Sequence, residues 1–197
     1  SHILPYMVWN DSNLDLEWKY GQEVPFQAKF STELLRGETL GLKTGNIPCA
    51  FANVPEEHTI GAHVALAVHE VKPGMGGLPQ LPPLVDFGYG LPDCRVYNYW
   101  DDELPITVSD PRCKWLLLKR NEALMLVLCT WNPEPQAITV TLHAGRLGVD
   151  PGQATLMDVR KAGRRDFEAQ PGDRAQLEGG LLRTELEGYG WKFFRLN

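Results

Sequence analysis

The stretch Ala123-Leu-Met-Leu-Val-Leu-Cys-Thr-Trp131 decides how the second half of this chain is read. Successive side chains of a strand point to opposite faces. Leu124, Leu126 and Leu128 therefore face one way, and Met125, Val127 and Cys129 the other. A strand apolar on both faces needs cover on both, so this one is expected to be central in its sheet. Upstream, Lys114-Trp-Leu-Leu-Leu-Lys119 reaches it through Arg120-Asn-Glu122, a connection short enough for a hairpin. Downstream, Asn132-Pro-Glu-Pro135 forces a turn, because proline has no N–H to give to a ladder. From Gln136 to His143 the chain then alternates, with Ile138, Val140 and Leu142 on the core side.

Further strands are predicted at Ala154–Val159, Leu181–Leu186 and Trp191–Leu196, separated by glycine-rich or charged turns. Short apolar runs at this spacing are the pattern of an antiparallel sandwich. A boundary is expected near residue 105, which makes residues 105–197 a C-terminal β-sandwich domain.

Residues 1–104 read differently, as a mixed α/β region. Strands are predicted at Ile3–Trp9 and Asn46–Ala52, with a helix between them over Phe26–Arg36 that Gly37 ends as a left-handed cap. A second helix is expected after Glu56-Glu57-His58-Thr59, where the carboxylates suit the positive helix start and Thr59 is a candidate N-cap. Ile60, His63, Val64, Ala67, Val68 and Val71 share its apolar stripe, and Pro73-Gly74 stops it. Lys72–Cys94 follows with five prolines and five glycines. Its interspersed Leu78, Leu81, Leu84, Val85 and Phe87 suggest a loop packed over a surface rather than a free linker.

Composition narrows the function classes. The 197 residues are 43% hydrophobic and carry a net charge of −6. That balance disfavours nucleic acid and anionic membrane partners, which need a basic face, and leaves neutral ligands such as sugars open. Cys49, Cys94, Cys113 and Cys129 are scattered and read as ordinary thiols. A disulfide such as Cys94–Cys113 is the alternative and needs an oxidising compartment. No phosphate loop, dinucleotide fingerprint or hydrolase elbow is present, and no cofactor is expected. His63 reads as a buried core histidine, and His69-Glu70 lacks the spacing of a zinc helix, so no metal ligand is assigned.

Two places carry candidate binding residues. In Val96-Tyr-Asn-Tyr-Trp-Asp-Asp-Glu103, Trp100 and Asp101 combine a ring that stacks on sugar C–H faces with a carboxylate that accepts hydroxyl hydrogens. A packing anchor followed by an acidic turn is the competing reading. Trp9, Asn10 and Asp11 follow a predicted strand, and strand C-termini line the active face of a β/α barrel. There the competing reading is a solvated turn. Adjacency alone does not make Asp101-Asp102-Glu103 an acid/base pair, since glycosidic cleavage needs two carboxyl groups set across the bond.

Several segments in order resemble the end of glycoside hydrolase family 123-like proteins: Leu35-Arg-Gly-Glu-Thr-Leu-Gly-Leu-Lys-Thr-Gly-Asn-Ile-Pro48, Ala67-Val-His-Glu-Val71, Tyr97-Asn-Tyr-Trp100, Pro105-Ile-Thr-Val108, and Leu124 to Asn132. The resemblance implies that residues 1–104 are the last part of a (β/α) barrel, followed by a sandwich that braces it. It also implies a parent similar to β-N-acetylgalactosaminidases, whose adjacent acidic pair works with the substrate's acetamido group. That pair does not map onto Asp101-Asp102 or Glu56-Glu57, so the catalytic residues are not assigned and the chain alone is expected to be inactive. The expected partners are a carbohydrate ligand and the remainder of a parent polypeptide or another subunit. The alternative is a stand-alone carbohydrate-binding or structural module.

Overall fold

The computed structural model describes residues 24–38, 49–50, 58–73, 81–162 and 167–197. The predicted strand at Ile3–Trp9 lies outside these residues. The chain divides into two compact units, residues 1–79 and 80–197.

In the first unit, the expected helix over Phe26–Arg36 is two short ones, α1 (Phe26–Lys29) and α2 (Thr32–Glu38). Phe30 between them is extended (φ −108°, ψ 117°), which breaks the helical ladder. Gly37 lies inside α2 rather than capping it. A helix α3 (Thr59–Ala67) starts after His58, which holds the N-cap position one residue before the predicted Thr59. Strands β1 (Cys49–Ala50) and β2 (Lys72–Pro73) pair in parallel on either side of α3 in sequence. A parallel pair joined through a helix is a βαβ unit, the repeat from which α/β sheets are built. Among the described residues, no helix is long and apolar enough to cross a membrane.

The second unit begins with α4 (Pro82–Phe87), inside the proline- and glycine-rich stretch. Prolines in the first turn lose no helical hydrogen bond there. Gly88 then ends the helix in the left-handed conformation (φ 108°). Nine strands follow: β3 (Arg95–Asn98), β4 (Ile106–Val108), β5 (Cys113–Arg120), β6 (Ala123–Thr130), β7 (Gln136–Leu142), β8 (Ala154–Lys161), β9 (Phe167–Glu178), β10 (Leu181–Leu186) and β11 (Trp191–Leu196). A four-residue helix α5 (Ala144–Leu147) links β7 to β8.

These strands form one antiparallel ladder in the order β3-β5-β6-β11-β8-β9-β10-β7-β4. The ladder folds into two layers because β9 belongs to both. Its residues Phe167–Ala175 pair with β8, and Gln176–Glu178 pair with β10. The inward side chains of both layers meet in one core: Leu124, Leu126 and Leu128 of β6, Phe194 and Leu196 of β11, Ile138, Val140 and Leu142 of β7, and Leu182 and Leu186 of β10. Burying each such side chain contributes about 1.5–3 kcal/mol.

The other face of β6 is apolar and buried as well: Met125, Val127 and Cys129 are at most 2% exposed. Leu116 and Leu118 of β5 and Phe193 of β11 are equally covered. Helix α4, in the same unit, packs against β5, β6, β8 and β9. The two-sided pattern thus corresponds to a strand flanked by β5 and β11. Strand β3, which the boundary near residue 105 placed in the first region, is the edge strand beside β5.

Turn chemistry closes the hairpins. Asn121, at φ 54°, begins the two-residue link between β5 and β6. Gly179 and Gly180, at φ 55° and 76°, form the link between β9 and β10. Such turns need left-handed residues, which glycine and asparagine tolerate.

Candidate functional site

Trp9, Asn10 and Asp11 fall outside the described residues. Trp100 and Asp101 lie just past the end of β3, and both are partly exposed. The Asp101 carboxylate accepts the backbone N–H of Asn98 at 2.8 Å. The Asp101 N–H in turn donates to the Asn98 carbonyl at 3.1 Å. This carboxylate therefore closes the turn that ends the edge strand. The Trp100 ring meets Tyr99 edge-on, with centroids 4.8 Å apart at 81°, and the Lys114 ammonium lies 5.0 Å from the Tyr99 centroid. The result is an aromatic and acidic corner at one end of the sandwich, with Asp102 and Glu103 exposed beside it.

The histidines of the first unit are embedded. His63 is 1% exposed, with Nδ1 2.7 Å from the Thr59 carbonyl. Burial holds its imidazole below the usual 6.5, against the opposing pull of that hydrogen bond. His69 repeats the arrangement on Ala65 at 2.8 Å. Cys94, Cys113 and Cys129 are free thiols. Burial pushes Cys113 up to about 12, too high to supply a thiolate at neutral pH.

At the turn after β6, polar groups bond to one another. The Asn132 amide donates to Gln136 Oε1 at 2.7 Å, and Gln136 Nε2 donates to Thr130 Oγ1 at 2.7 Å. The Glu134 N–H donates to Asn132 Oδ1 at 3.2 Å, and the Tyr189 N–H to the Asn132 carbonyl at 2.7 Å. The turn between β10 and β11 presses against it so closely that a Cβ on Gly188 would sit 1.9 Å from the Pro133 carbonyl oxygen.

A second irregularity stays open. Thr155 pairs with Arg174 and Met157 with Pro171, so Leu156 of β8 opposes two residues of β9, Gly172 and Asp173. A bulge of this kind bends its strand and disrupts the ladder. Beside it lies a groove of about 350 Å³ lined by Leu156–Val159, Gly172, Asp173, Trp191 and Lys192. The Lys192 ammonium donates to Thr184 Oγ1 across the layers at 3.1 Å, and Asp158 pairs with Arg160. The reading of Trp100 and Asp101 missed this group, because its members come from three strands and meet only through register. The one local signal is Pro171-Gly172, a turn-forming pair inside β9.

No curated protein matches the chain. Among solved structures, it is similar to a GH30 endoxylanase from Clostridium papyrosolvens, at 10% identity over 45% of this chain and 21% of that one, with a TM-score of 0.35. An alpha-amylase from Anoxybacillus gives 10% identity, 73% and 23% coverage and 0.35. A GH27 β-L-arabinopyranosidase from Geobacillus stearothermophilus gives 14% identity, 84% and 30% coverage and 0.30. The chain thus spans between 21% and 30% of the length of these structures. Residues 85–169, from within α4 to the opening of β9, match the model of the glycoside hydrolase 123 C-terminal domain, so this part of the chain is similar to the C-terminal region of glycoside hydrolase 123-like proteins.

Proposed function

We propose that the chain is the C-terminal part of a carbohydrate-active glycoside hydrolase, in which the sandwich braces a (β/α) barrel and catalysis needs residues from the rest of the parent. The observation that carries this reading is the match of residues 85–169 to a domain defined as C-terminal in its family. The parallel βαβ unit β1-α3-β2 supports an α/β barrel-type segment before the sandwich. The sandwich suits bracing because its core is closed by its own strands and its hairpins are tightly tied.

The partners in this reading are a carbohydrate ligand and the remaining polypeptide. The sugar-contacting residues in this reading are Trp100 and Asp101 of the sandwich, with Trp100 stacking and Asp101 holding the turn that presents it, and Trp9, Asn10 and Asp11 of the first region. The reaction is hydrolysis of a glycosidic bond, carried by carboxyl groups not assigned in this chain. The test compares this chain with a longer parent on aryl-glycosides. Release by the parent and none by the chain is the expected result. Turnover by the isolated chain at the parent's rate overturns the reading.

A further inference from the structure

We propose that the groove at the β8–β9 bulge is a second saccharide site, separate from the Trp100 corner and contained wholly within the sandwich. Its chemistry is that of a neutral polyol ligand. Asp158 and Asp173 are exposed carboxylates, which accept hydroxyl hydrogens. Lys192 has three N–H donors, of which one goes to Thr184, so its remaining donors meet ring or hydroxyl oxygens. Leu156, half-buried between them, supplies an apolar patch for a sugar's C–H face.

Charge points the same way. Outside the lining, Arg160 pairs with Asp158 and also reaches Glu168 at 3.7 Å, and within it one ammonium, Lys192, stands with the carboxylates of Asp158 and Asp173. An anionic ligand meets two carboxylates against one ammonium, whereas a neutral one with hydroxyls finds both acceptors and donors. The volume of about 350 Å³ lies at the lower end for small-molecule sites and suits one or two sugar rings. The bulge also explains why the groove is open at all. Gly172 and Asp173 face a single residue, and a Cβ on Gly172 would press to 3.3 Å from the Leu156 carbonyl oxygen.

This site is independent of the bracing role proposed above, because its readout is binding by the intact chain and not turnover by the parent. The experiment titrates the chain with maltotriose, xylotriose, lactose and N,N′-diacetylchitobiose by calorimetry, with glucuronic acid as a charged control. At least one neutral sugar is expected to bind with a dissociation constant of about 1 mM or tighter. The double substitution Asp158→Ala with Asp173→Ala, at exposed positions, is expected to weaken that binding at least about tenfold at unchanged melting temperature. Lys192→Met gives a smaller loss in the same direction. Absence of binding by every neutral sugar at about 10 mM overturns the proposal. So does binding that survives the double substitution undiminished.

Discussion

Among the described residues of the sandwich, two breaks between or within strands are treated in opposite ways. After β6, Asn132-Pro-Glu-Pro135 leaves the sheet, and every polar group named at that turn is bonded, with Gly188 lying directly on the Pro133 backbone. At the β8–β9 bulge, Pro171-Gly172 also interrupts pairing, yet the space beside it is left as a groove with Asp158 and Asp173 in solvent. Both interruptions come from proline next to a turn-forming residue. The difference lies in what faces them: a second turn in one case, water in the other. A break that is packed shut fixes the fold, while one left open offers a surface for a ligand without opening the core.

Changing glycine to alanine on each side tests this contrast directly. Gly188→Ala is expected to be the most damaging change, at about 3 kcal/mol or more, because a Cβ 1.9 Å from a backbone oxygen forces both turns apart. For a chain of this size that lowers the thermal midpoint by roughly 6 °C or more. A midpoint unchanged by Gly188→Ala would break the comparison. Asn132→Ala comes next. Asn132 is 6% exposed and ties Gln136 and the Glu134 backbone, so its loss should lower stability by about 1–3 kcal/mol in denaturant titration.

Gly172→Ala should lower stability by no more than about 1 kcal/mol, because the contact at 3.3 Å is with an exposed bulge that can give by a few tenths of an ångström. If it costs as much as Gly188→Ala, the bulge is as rigid as the turn and the contrast fails. The smallest effect is one of pH. The Arg112 guanidinium beside Asp110, close to the packed turn, holds that carboxyl below its usual 3.8. A group with a depressed folded pKa stabilises above its unfolded value and loses that contribution as pH falls through the folded one. Acid unfolding monitored below about pH 4 should therefore show a shallow component that Asp110→Asn removes.

Six strands were legible from alternation and turn residues alone, since β5, β6, β7, β8, β10 and β11 each carry a local apolar pattern. Strand β9 was not. Its Pro171-Gly172 reads as a break, and most of its side chains are exposed, so no apolar period marks it. Strand β3 was missed because its place beside β5 depends on a partner some twenty residues away. Helix α4 hid in a stretch whose prolines look like loop, although Pro82 and Pro83 at the start and Gly88 at the end are helix boundary signals. At the candidate sites, Trp100 and Asp101 were visible as residue types, but the bond from Asp101 to Asn98 was not. The Asp158, Asp173 and Lys192 group could not be read at all, because sheet register and not sequence neighbourhood assembles it.

The place of β11 between β6 and β8 has a consequence for how the chain reaches this structure. β6 zips onto β5 through a two-residue link, yet its other flank waits for Trp191–Leu196, roughly 60 residues further along. Until the ribosome has released that segment, Met125, Val127 and their neighbours lie on a strand with a bare edge, open to any other extended peptide. Translation speed across β7 to β10 therefore sets how long a sticky intermediate persists, and a stalled or clipped product ending before Trp191 should be a substrate for chaperones.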